Sequence, residues 1–102
     1  MVEQPVSMTH GLTAITVQVP EVLRGCTGAR ELSLPAQSLR AALSEIERRY
    51  PALHRNICDE TGTVRRHVNL FVNATHMRDC NGLDTRLVPG DVVTILPAVS
   101  GG

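Results

Sequence analysis

The residues best suited to chemistry stand at the end of the chain, Ser100-Gly101-Gly102. At ordinary glycine usage, about 0.5% of chains would close on Gly-Gly by chance, so this ending carries information. Neither glycine has a side chain to pack, and neither restricts φ, which predicts a mobile tail. The five residues after Pro97 reach about 17 Å when extended. A glycine-tipped carboxylate of that reach suits insertion into a narrow active site on another protein. A carboxylate is a poor electrophile at neutral pH and needs activation, for example conversion by ATP to an acyl-adenylate. Attack by sulfide or a persulfide then yields a thiocarboxylate, whose sulfur is anionic near neutral pH and therefore nucleophilic.

The remaining reactive side chains form no such pattern. Cys26, Cys58 and Cys80 are odd in number and widely spaced. No pair makes a C-x-x-C, so neither a zinc site nor a redox motif is indicated, and reduced thiols are expected. His10, His54, His67 and His76 are scattered, with no spacing that brings a nucleophile within hydrogen-bond reach. Arg65-Arg66 reads as a solvated pair, and no glycine-rich phosphate loop is present. The chain is therefore expected to bind no cofactor or metal, and not to be an enzyme by itself; ATP would be bound by the activating partner.

Composition narrows the partners. Ten Asp/Glu balance ten basic residues for a formal charge of zero, which argues against a nucleic-acid footprint. Tyr50 and Phe71 are the only aromatics, so stacking platforms for single strands are not expected either. All ten basic residues are arginine, which leaves no lysine as an acyl acceptor on this chain. No apolar run approaches the ~20 residues of a membrane span. Met1 to His10 lacks the apolar stretch of a signal peptide. A cytoplasmic protein without membrane contact is expected.

The 102 residues suffice for one domain with one core. Residues 1–9 read as a flexible arm, 10–97 as the folded domain and 98–102 as a flexible tail. Leu12 to Val19 alternates, with Ile15, Val17 and Val19 on one face of a strand. Pro20 stops it, Arg24 to Gly28 supplies turn residues, and Glu31 to Leu34 makes a second strand, most simply an antiparallel hairpin. Ser38 suits a helix N-cap. Leu39, Leu43, Ile46 and Tyr50 then form one helical stripe, ended by Pro51. Leu53 and Ile57 lie in an irregular or short helical segment. Arg66 to Val72 is the third strand, with Val68, Leu70 and Val72 on one face. A reversal at Asn73 to Thr75 leads to a brief strand from His76 to Arg78, and Asn81 to Asp84 makes a turn. Val88-Pro89-Gly90-Asp91 carries the type II turn signature before the last strand, Val92 to Leu96. One helix with one apolar stripe covers one sheet face: an α+β layer pair with the other face open.

This strand, strand, helix, strand, strand order resembles the β-grasp, or ubiquitin-like, fold. His67 to Asn73 and Pro89 to Gly102 are similar to the ThiS/MoaD family of sulfur carriers. The ending most resembles the branch that delivers sulfur for cysteine biosynthesis or thiocarboxylate-dependent natural products. The resemblance implies a mixed sheet of four to five strands with one helix on one face and the last strand beside and parallel to the first. It implies adenylation of Gly102 by an E1-like enzyme and thiocarboxylation there, with Gly101 allowing close approach. A sulfur-accepting biosynthetic enzyme is the second partner implied, and a metalloprotease that exposes the Gly-Gly end is a third that the family admits. Phe71, Val92, Leu96 and Pro97 are the candidate partner-binding face. Two other readings stay open: a small subunit of a molybdopterin-synthase-type complex, and a ubiquitin-like protein modifier.

Overall fold

The computed structural model describes residues 14–97; the expected arm and tail, with Gly101 and Gly102, lie outside the described residues. β-Branched residues at alternate positions form β1 (Ala14–Gln18), whose Ile15 and Val17 are buried. It pairs antiparallel with β2 (Glu31–Pro35), setting Ile15 opposite Leu34 and Val17 opposite Leu32. Between them the chain makes a 3-10 turn at Glu21–Cys26, where only irregular turn residues were expected.

Helix α1 (Leu39–Arg49) starts where the sequence places it. Ser38 Oγ accepts the Ala41 N–H at 3.0 Å. Leu39, Ala42, Leu43 and Ile46 are buried. Tyr50 leaves the helical region, and Pro51 then occupies the first turn of α2 (Pro51–Ile57). A proline lacks an N–H, but the first turn has no intrahelical partner for one, so the residue that ends α1 also opens α2. Leu53 and Ile57 are buried on it, so two helices cover the sheet rather than the expected one.

Strand β3 (Val68–Val72) is shorter than expected. The Val68 N–H donates to Arg65 O at 3.0 Å, which holds Arg66 and His67 in a turn. The fourth strand also differs. β4 is Thr75–His76, and Met77–Asp79 is a 3-10 turn rather than strand, because the His76 ring accepts the Arg78 N–H at 3.0 Å and closes the backbone. β5 (Val92–Pro97) completes a five-stranded sheet of order β2-β1-β5-β3-β4. β5 runs parallel to β1, as the resemblance implies, and antiparallel to β3 on its other side.

Placement of β5 depends on the turn before it. The Asp91 N–H donates to Val88 O at 3.0 Å, and Gly90 has φ of 92°. A Cβ on Gly90 would meet open space, so only the backbone conformation disfavours a side chain. Gly90→Ala is therefore expected to cost about 1–2 kcal/mol, read as a lower urea midpoint with an unchanged slope. Asn73, with φ of 56°, locks the neighbouring turn to this one. Its Oδ1 accepts the Val92 N–H at 3.0 Å and its Nδ2 donates to Asp91 Oδ1 at 3.1 Å.

Candidate functional site

Strand parity decides what each face offers. Val93 and Ile95 of β5 face the helices and are buried, as are Val68, Leu70 and Val72 of β3. Val92, Thr94 and Leu96 therefore share the open face with Asn69 and Phe71. Phe71 pairs directly with Thr94. It is thus a diagonal neighbour of Val92 on one side and Leu96 on the other, within reach of a long side chain. Leu96 is 46% exposed, whereas Val92 and Phe71 are half-buried.

Pro97 departs from the expected face. It pairs with buried Val68 and has the parity of Val93 and Ile95, so it belongs to the helix side. Next to Leu96 along the strand, Pro97 falls on the opposite side of the pleat. The polar residues around the apolar three are paired sideways. Thr94 Oγ1 donates to Gln18 Oε1 at 3.2 Å, and His76 Nε2 meets Asn69 Oδ1 at 3.0 Å. The His76 ring also stands edge-on to Phe71, with centroids 5.1 Å apart and planes at 74°. These pairings frame an apolar centre on the open face with polar side chains bonded to one another.

The parallel pairing of β1 and β5 fixes where the chain leaves the sheet. Gln18 aligns with Thr94, so β5 ends beside the β1–β2 connection. A cleft of about 500 Å³ opens there, lined by Gln18, Pro20, Arg24, Arg30, Glu31 and Leu96 among others. Arg24 Nε donates to Val19 O at 3.1 Å, which anchors its guanidinium at the cleft wall. The backbone carbonyl of Arg30 accepts the Val19 N–H at 2.9 Å. In the sequence Arg24 stands out only as a turn residue. The one available signal was a pair of arginines bracketing a turn next to the strand that the final strand joins.

A second cleft, about 510 Å³, lies between the helices and the 59–62 loop, with Arg40, Glu47, His54, Cys58 and Arg65 in its wall. Cys58 is buried, and burial, aided by the charges of Asp59 and Glu47, pushes its thiol pKa up. It stays protonated at neutral pH and is a poor nucleophile. Asp59 has the opposite shift. Its Oδ1 accepts from the Thr61 hydroxyl at 2.6 Å and from the Thr61 and Thr63 N–H groups at 2.9 and 3.1 Å, and these bonds hold its carboxyl below the ordinary range. A depressed folded pKa contributes stability above the unfolded value and loses it as pH falls through the folded one. The Thr61 and Thr63 amide resonances are accordingly expected to titrate with a midpoint below that of a free aspartate. A midpoint at or above it contradicts the bonding. Among the described residues, no three His, Cys, Asp or Glu side chains come together as a metal site. No described helix is long and apolar enough to cross a membrane.

Against known proteins, the model of the ThiS family matches residues 17–102. The sulfur carrier protein CysO of Mycobacterium tuberculosis is 38% identical over 91 residues, covering 86% of this chain and 98% of that protein. Its crystal structure superposes with a TM-score of 0.76 over 83% of this chain and 99% of the other. The structure of an Amycolatopsis orientalis BexX/CysO complex contains a chain 31% identical, with a TM-score of 0.79 over 87% of this chain and all of that one (100%). The solution structure of small archaeal modifier protein 1 from Methanosarcina acetivorans is 29% identical, with a TM-score of 0.80 over 89% and 98% of the two chains. The similarity extends through the last residues of the chain, and these neighbours are β-grasp proteins, the fold implied by the sequence.

Proposed function

The chain belongs to the ThiS family, and from that premise we propose that it is a sulfur carrier whose working group is the Gly102 carboxylate. The observation that carries the reading is positional. β5 is held between β1 and β3, and Pro97, at its end, stands five residues before Gly102 in the sequence. The likeness to a curated sulfur carrier over most of both chains supports the same conclusion.

In this reading an E1-like enzyme joins the Gly102 carboxylate to ATP. A carboxylate oxygen attacks the α-phosphorus, pyrophosphate leaves, and an acyl-adenylate remains. Hydrosulfide then attacks the carbonyl carbon, the bond to AMP breaks, and the terminus becomes a thiocarboxylate. No oxidant or reductant is consumed when sulfide is the donor. Gly101 and Gly102 suit the approach because neither carries a Cβ to block the partner's channel. The chain contributes the tail and a recognition face and is not the enzyme; ATP belongs to the partner. Phe71, Val92 and Leu96 are that face, an apolar centre of the kind that marks partner sites. The sulfur then passes to a biosynthetic enzyme, for cysteine or a sulfur-containing metabolite, in the cytoplasm where ATP is available. The complex recorded for the Amycolatopsis relative supports a protein partner for a chain of this kind.

Incubation with ATP and an E1-like adenylating enzyme of this family tests the first step. Pyrophosphate release that depends on the chain and stops at one equivalent without a sulfur source is expected. No chain-dependent release contradicts the proposal. The likeness to an archaeal modifier protein favours one second reading, conjugation through the same carboxylate to lysines elsewhere. That chemistry predicts ladders of heavier species that survive reducing denaturation, where the carrier reading predicts none.

A further inference from the structure

We propose that the cleft holding Arg24 and Arg30 receives acidic side chains of the activating enzyme as it grips the tail. This rests on the carrier reading and specifies the chemistry of its partner. Position is the first argument. The cleft shares Leu96 with the open face and lies where β5 ends, so a protein that takes hold of the tail must cover it.

Charge is the second. Two guanidinium groups face one carboxylate, Glu31, in the cleft wall. Among the described residues neither arginine is paired with a carboxylate; the ion pairs found there join Arg40 to Asp84 and Arg48 and Arg49 to Glu45. The third argument is preorganisation. The Val19 carbonyl holds Arg24 by Nε, and among the described residues its two terminal nitrogens make no hydrogen bond, so they can meet a carboxylate as a fork. A side chain already fixed loses less freedom on binding. The chain as a whole is neutral, so the attraction acts at contact rather than by long-range steering. Every version of the carrier reading needs the activating enzyme, whatever the final acceptor, which makes that enzyme the occupant chosen.

The test is the KM for this chain in adenylation, with ATP saturating. Arg30→Glu is expected to raise KM about tenfold with kcat unchanged. Arg24→Lys, which keeps the charge and loses the anchored fork, gives a smaller rise. Raising the salt concentration weakens the wild type more than the Arg24→Ser/Arg30→Ser double variant. Arg48→Glu, the same charge change on α1, keeps the wild-type KM. The Arg30 side chain makes no hydrogen bond among the described residues, so Arg30→Glu keeps the fold, and its thermal midpoint checks this. A wild-type KM in both Arg30→Glu and the double variant overturns the proposal, as does an equal rise in Arg48→Glu. ATP added to the chain alone is expected to leave the Arg24 and Arg30 Nε resonances unmoved; a shift there assigns the cleft to nucleotide phosphate instead. A wild-type chain that is never adenylated overturns the carrier reading itself, and this proposal with it.

Discussion

Deletion of Gly101 and Gly102 abolishes sulfur loading and leaves the thermal unfolding midpoint of the protein unchanged. The two halves of this expectation come from separate parts of the chain. Among the described residues, the buried core runs from Ile15 to Ile95. Among the described residues, the last pairing of β5 with β3 joins Pro97 to Val68. Loading, in the proposed mechanism, needs the terminal carboxylate at the bottom of a partner's channel. Two residues span up to about 7 Å, far more than the ~1 Å misplacement that already costs orders of magnitude in a positioned reaction. Loss of loading of at least 100-fold is therefore the expected effect. Circular dichroism gives the midpoint and mass spectrometry the loading. A shortened chain that loads at the normal rate, or that melts early, contradicts the division between body and tail.

Two adjacent residues of β3 are expected to fail in opposite ways. Leu70 is fully buried between the sheet and the helices, so Leu70→Ala removes three heavy atoms and leaves a cavity. The cost is about 2–5 kcal/mol, a large share of the 5–15 kcal/mol typical of a domain. At about 4–8 °C per kcal/mol for a domain of this size, the midpoint falls by roughly 8–40 °C. Phe71 points to the open face, where its ring meets His76. Phe71→Ser gives up that contact and part of a half-buried surface, about 1 kcal/mol. Its main effect is on the partner, seen as a raised KM for adenylation in a protein that remains folded. Comparable loss of stability in both variants contradicts the face assignment; an unchanged KM in Phe71→Ser removes it from the docking surface.

The parts of this fold visible in the sequence are those with a strong period or a specific stop signal. Alternation in β1, β2, β3 and β5 fixed their inner faces residue by residue, because a buried sheet face tolerates no slip. Ser38 and Pro51 marked α1 at both ends through their own chemistry. The 3-10 turn at Glu21–Cys26 is too short to show a period, and only Leu23 and Cys26 pack against the core, neither fully buried. Met77–Asp79 departed from strand because of a single side-chain cap from His76, a contact that no pattern encodes. That β5 lies beside and parallel to β1 came from the family resemblance and not from the period, since strands carry no label for their neighbours; its pairing with β3 on the other side is seen only in the structure.

The same distinction holds at the candidate site. Gly101 and Gly102 stood out by position and type. Phe71, Val92 and Leu96 followed from parity, while Pro97 fell to the other side of the pleat. The Arg24 and Arg30 cleft was invisible, because it joins the β1–β2 connection to the end of β5, more than sixty residues apart in the sequence.

The intact mass of the chain tests the central claim most directly. After incubation with ATP, the adenylating enzyme and sulfide, one oxygen of the protein is expected to be replaced by one sulfur, located by fragmentation at Gly102. An unchanged mass under conditions where the enzyme is active, or sulfur found on Cys26, Cys58 or Cys80 with an unmodified terminus, would contradict the account.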